Sequence, residues 1–230
     1  MFPLNDNFDA TSLDSLEPVF NELLSRDVKS VSDLEVFFSD ISDMAEHVSE
    51  AGARLYIGMT CDTENELKQT NFLNFVENIR PRMSEVSNKL DLKILNLDFL
   101  EQLSDRYSLI LRSMRNSIEI FREENIPLSV ECTKLSTEYQ KIIGAMTVNF
   151  EGMEYTLPQM RRFLESNDRE TRRLAWASVR ERRMKDSSRI SEILDELIDK
   201  RNKIAQNADF NNYVESVSYT HLRAHETARH

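Results

Sequence analysis

The chain has 230 residues with 29 Lys+Arg against 40 Asp+Glu, a formal net charge of −11, and 40% hydrophobic residues. That balance suits an ordinary globular domain and excludes a nucleic-acid surface, which needs basic charge to displace phosphate counterions. Four Gly and five Pro are few for this length and favour helices.

Leu13, Leu16, Val19, Phe20, Leu23 and Leu24 recur at helical spacing. Pro18 fits that helix only within its first turn. Ser32-Asp33-Leu34-Glu35 has the form of a capping box. It opens a stripe of Leu34, Phe37, Phe38, Ile41, Met44, Val48 and Leu55, a helix of about six turns. Thr63-Glu64-Asn65-Glu66 opens a third stripe through Phe72, Phe75, Val76, Ile79, Met83, Val86 and Leu90, which Pro81 should kink near Arg80. A fourth stripe runs from Leu97 to Phe121 and is expected to stop at Asn125-Ile126-Pro127. A fifth carries Leu135, Tyr139, Ile142, Ile143 and Met146. The alternation around Glu151-Gly152 in "MTVNFEGMEYTL" predicts a short β-hairpin near 146–156. Thr156-Leu157-Pro158-Gln159 then caps a helix. Asn167 or Asp168 caps the next, which breaks near Lys185 and continues to about Ala208. In its second half Ile190, Ile193, Leu194, Leu197 and Ile198 form one apolar face.

The charge is uneven. Residues 1–160 hold 14 Lys+Arg against 28 Asp+Glu, and residues 161–216 hold 13 against 11. Cys61 and Cys132 are too few and too far apart for a disulfide framework, so both are expected as reduced thiols. The opening "MFPLNDNFDA" has neither a basic n-region nor an apolar core, so no signal peptide is expected. No apolar run approaches the ~18 residues of a membrane span. The expected compartment is the cytoplasm.

Most candidate chemistry reduces to packing or solvation. Phe37, Phe38, Phe72 and Phe75 lie on core stripes, and Trp176 reads as a core anchor. Arg169, Arg172, Arg173, Arg180, Arg182 and Arg183 are interleaved with Glu170 and Glu181, as on a solvated helix face. His47 stands alone on an acidic helix and reads as a surface residue. Four scattered glycines build no phosphate loop. The remaining histidines, His221, His225 and His230, share the terminal stretch "VSYTHLRAHETARH". His225-Glu226 opens like the zinc-peptidase helix H-E-x-x-H, but His230 falls five residues on, about 140° round a helix. In addition, "VSYTHLRAHET" is a translation, without a mismatch, of one frame of a transposase adapter used in sequencing libraries. Residues 217–230 are therefore expected to be adapter-derived. No catalytic, cofactor-binding or metal-binding residue is assigned.

The stretches "ARLYIGMTCDTENELKQTNFLNFVENIRP", "LSTEYQKIIGAMTVNFEGMEYTLPQMRRFLESNDRETRRLAWASVRER" and "LIDKRNKIAQNADFNNYVE" resemble the oligoendopeptidase F and thimet oligopeptidase family of zinc peptidases over most of 12–215. The resemblance implies a mainly α, clamshell-like enzyme that cuts short peptides. It implies zinc held by a C-terminal H-E-x-x-H helix and a further Glu, none of them present here. The chain would then be the N-terminal portion of such a peptidase, inactive alone and binding no zinc. Residues 1–160 would form an N-terminal helical domain and 161–216 the opening helices of the peptidase domain. The face from Ile190 to Ile198 would pack on the missing catalytic half. Short peptides are the implied partners, with no nucleic acid and no membrane. The rival reading is a stand-alone helical interaction protein without enzymatic activity.

Overall fold

The computed structural model describes residues 8–220. They are mainly helical, with one two-stranded antiparallel sheet among them.

Helix α1 (Leu13–Ser25) buries Leu16, Val19, Phe20 and Leu23. Pro18 lies inside it and not in the first turn as the sequence suggested. The ring removes the bond to the Asp14 carbonyl, but four buried side chains on one face hold the helix across that gap. Helix α2 (Val31–Thr60) is 30 residues long. Its cap is Ser30, whose hydroxyl accepts from the Asp33 amide at 3.1 Å, two residues before the expected box. Helix α3 (Glu66–Asn74) is likewise capped by Asn65, which accepts from the Lys68 amide at 3.1 Å. In both cases a Ser or Asn two residues from the predicted cap takes its place, upstream of it for α2 and downstream for α3.

Pro81 acts where the sequence places it. A π-helical turn (Phe75–Ile79) precedes α4 (Arg80–Leu95), and the Arg80 amide donates to the Phe75 carbonyl. The wider turn accommodates a proline ring that would otherwise meet the carbonyl one turn back. The fourth stripe is not one helix. Residues 97–107 form a loop with 3-10 turns at Leu100–Gln102 and Asp105–Tyr107, and α5 (Ser108–Ile120) follows. Asn125-Ile126-Pro127 starts α6 (Asn125–Gly144) and does not terminate α5. Proline is welcome there, because the first-turn amides have no helical acceptor to lose.

Strands β1 (Thr147–Phe150) and β2 (Met153–Thr156) form the expected hairpin. Glu151 and Gly152 both have positive φ, 52° and 82°, the pairing that matches strand twist in a two-residue turn. Helix α7 (Leu157–Leu164) opens with the full capping box between Thr156 and Gln159. Asp168 caps α8 (Arg169–Lys185), accepting from the Thr171 amide at 2.8 Å. After the break at Asp186 come α9 (Ser187–Asn207) and α10 (Tyr213–Thr220).

The largest core joins α1, α2, α4 and α5, from Ala10 to Met114. Separate clusters form under the hairpin (Val148, Phe150, Met160, Ala175) and between α6 and α9 (Leu135, Ile193, Leu197). One expectation fails at these clusters and a second is narrowed. Trp176 is 55% exposed, because α8 turns Ala175 inward and leaves the indole beneath the Arg180 guanidinium at 5.2 Å. The face from Ile190 to Ile198 splits. Ile193 and Leu197 are buried on α6 within this chain, while Leu194 and Ile198 remain 56% and 47% exposed.

Asp91 on α4 is half-buried, and burial pushes its carboxyl up to about 6. The folded state then binds more protons than the unfolded chain between about pH 4 and 6, so its stability falls as pH rises through that window. Asp91→Asn is expected to raise the melting temperature at pH 7 and to change it little at pH 4. An equal shift at both pH values would refute the assignment.

Candidate functional site

Among the described residues no group of three or more His, Cys, Asp or Glu is placed to hold a metal. His47 is exposed on α2, with Nδ1 2.7 Å from the Asp43 carbonyl and its ring edge-on to Phe8. Cys61 is exposed, and Cys132 is half-buried on α6, where burial pushes its thiol pKa up and so disfavours the thiolate. The two thiols and His47 do not converge. His221, His225 and His230 lie outside the described residues. The side chains of residues 8–220 thus do not fit a zinc centre.

The arginines of α8 are engaged locally. Arg173 pairs with Glu170 at 2.6 Å, and Arg172 donates to the Ser166 and Asn167 carbonyls at 2.7 and 3.0 Å. Arg182 pairs with Asp186. These contacts leave a solvated helix face, as the alternating charges suggested.

What the fold does build is a braced junction between α6 and α9. Arg189 of α9 grips Glu138 of α6 through two bonds of 2.7 and 2.8 Å and also reaches Glu192 and Glu196. Lys200 pairs with Glu131. At the other end of α6, Asn125 donates to the Ile204 carbonyl at 3.0 Å and accepts from Asn207 at 2.8 Å. Beside this junction lies a cleft of about 440 Å3 between α4, α5, α6 and α9, with Arg80 and Arg122 among its walls. The sequence reading missed this cleft. Its walls come from four helices that only the tertiary fold brings together, and periodicity along one helix does not show which faces meet.

The architecture is that of a known class of helical scaffold. Its fold matches "PZ peptidase A with inhibitor 2" with a TM-score of 0.84 at 23% identity, over 93% of this chain and 38% of that one. It also matches a Bacillus anthracis str. Ames protein assigned as an oligoendopeptidase F, with a TM-score of 0.86 at 21% identity, over 97% of this chain and 41% of that one. A further structure assigned as an oligoendopeptidase F gives a TM-score of 0.84 at 23% identity, over 94% and 38%. At these identities the likeness establishes the fold, and the chain spans about 40% of the length of these structures. The family follows from the sequence match: residues 6–121 match the peptidase M3 N-terminal domain, and the chain belongs to that family. No curated protein sequence matches.

Proposed function

We propose that this chain is the N-terminal portion of a zinc-dependent oligoendopeptidase that hydrolyses short peptides, itself lacking the catalytic motif. The observation that carries this reading is the family match over 6–121, which coincides with the largest core, Ala10 to Met114. The fold likeness to oligopeptidases over nearly the whole chain supports it. In this reading residues 1–160 are the N-terminal helical domain, 161–216 open the peptidase domain, and 217–230 derive from an adapter. Zinc belongs to the whole enzyme and is not bound by this chain. Its partners are short peptides, with no nucleic acid and no membrane, and its compartment is the cytoplasm.

The test is hydrolysis of a quenched-fluorescent short peptide with zinc supplied. The purified chain is expected to show no zinc-dependent turnover. Turnover that is abolished by His225→Ala would overturn the proposal and return the terminal histidines to a catalytic role.

A further inference from the structure

The cleft between α4, α5, α6 and α9 has apolar walls and one arginine without an ion-pair partner among the described residues. Ile120, Phe121, Ile126, Val130 and Ile204 line it, each only half-buried. It stays open because small hydroxyl residues, Ser84, Ser117, Ser129 and Thr133, face it from three helices where larger side chains would fill it. Its size lies in the range of ~300–1,000 Å3 typical of small-molecule sites.

Most polar groups of the lining are already satisfied. The Ser129 and Thr133 hydroxyls donate to the Asn125 and Ser129 carbonyls at 2.8 and 3.0 Å. Asn125 is engaged on both sides of its amide by α9. Arg122 pairs with Asp209 at 2.8 Å and donates to the Glu119 and Phe121 carbonyls. Arg80 differs. Its guanidinium sits over the rings of Phe72 and Phe75 at 5.7 and 6.0 Å. It has no ion-pair partner among the described residues; Glu77, three residues before it, pairs with Lys134 at 2.5 Å.

We propose that this cleft binds an amphipathic monocarboxylate of the fatty-acid type, with its alkyl chain along Ile120, Ile126, Val130 and Ile204 and its carboxylate on Arg80. An extended peptide suits the walls less well. Its backbone amides need partners, and the cleft offers little beyond the Ser84 and Ser117 hydroxyls. A single anionic head on an alkyl chain matches one free guanidinium beside an apolar wall. The inference rests on the cleft alone and does not depend on the peptidase reading.

The test is calorimetric titration of the 230-residue chain with dodecanoate and, separately, with dodecanol, both kept below self-association. Dodecanoate is expected to bind one per chain and dodecanol roughly tenfold more weakly, the usual margin of a hydrogen bond to a charged group. Arg80→Met should remove that difference while leaving the weaker binding. Val130→Trp should fill the cleft and abolish both, with helical signal and melting temperature as controls. Should Val130→Trp fail to fold, Thr133→Leu serves the same purpose. The proposal is overturned if dodecanoate does not bind, if several bind equivalently, or if the preference survives Arg80→Met. It is also overturned if a short peptide with an apolar C-terminal residue displaces dodecanoate at lower concentration.

Discussion

Phe37→Ala is expected to destabilise the chain by about 3–5 kcal/mol, the usual range for removing a buried aromatic ring. Phe37 is 0% exposed at the centre of the main core. Its ring also organises the polar closure of α1. The Lys93 ammonium lies 5.1 Å from the ring centroid and the Arg26 guanidinium 5.5 Å. Lys93 donates to the Leu23 and Leu24 carbonyls, each at 3.0 Å, and to that of Arg26. Those carbonyls end α1 and would otherwise lack partners. Arg26 bridges Glu22 and Asp40 at 2.8 and 2.5 Å. Losing the ring therefore leaves a cavity and admits water beside two cations whose geometry it holds. Phe37→Leu keeps most of the volume and should cost well under half as much. Urea unfolding followed by the helical signal measures both. A cost below about 1 kcal/mol for the alanine variant would contradict the packing described here.

Gly52→Val is expected to cost about 1–3 kcal/mol, although most glycine replacements inside a helix gain from lower backbone entropy. Gly52 is where α2 passes the π-turn. A β-carbon there would stand 2.8 Å from Phe75 Cε1 and 3.1 Å from Cζ. Phe75 is itself buried and fixed in the π-turn, so the ring has little room to withdraw. Gly58 in the same helix faces open space, so Gly58→Ala should stabilise by up to about 1 kcal/mol. The pair of variants separates propensity from contact. A double-mutant cycle with Phe75→Leu should recover part of the Gly52→Val cost, and strict additivity would show that the two residues do not press on each other.

These two sites also show how far the sequence could be read. Phe37 was legible because its stripe repeats at helical spacing along a single helix. The hairpin, the box at Thr156 and the break at Pro81 were legible for the same reason, since each is decided by neighbours in the chain. Gly52 was not, because its role depends on Phe75, which lies far along the chain. Trp176 was misread because size and apolarity suggest burial, yet the axial rotation of α8 buries Ala175. The apolar face of α9 was read as awaiting an absent partner. Half of it is covered by α6, a pairing set by tertiary contacts that α9 alone does not encode. Pro18 was legible only as a first-turn residue and lies inside a packed helix, and Pro127, read as a stop, opens one. The cleft around Arg80 lay beyond sequence reasoning altogether, since it is made by faces of four helices that meet only in the fold.

On the proposed reading, the catalytic zinc ligands of the parent enzyme lie outside residues 1–216, where His47 is the one histidine. A zinc peptidase of the H-E-x-x-H type places two His on one helix face with a Glu between them, and takes a further ligand from elsewhere. The direct measurement is to amplify the gene from its source DNA across the codons for 210–230 and read the frame onward. The account predicts a frame that continues past Glu215 without "THLRAHET" and reaches an H-E-x-x-H motif on a helix at least a further domain's length away. A natural stop codon directly after His230, with the terminal stretch present in the genome, would contradict it.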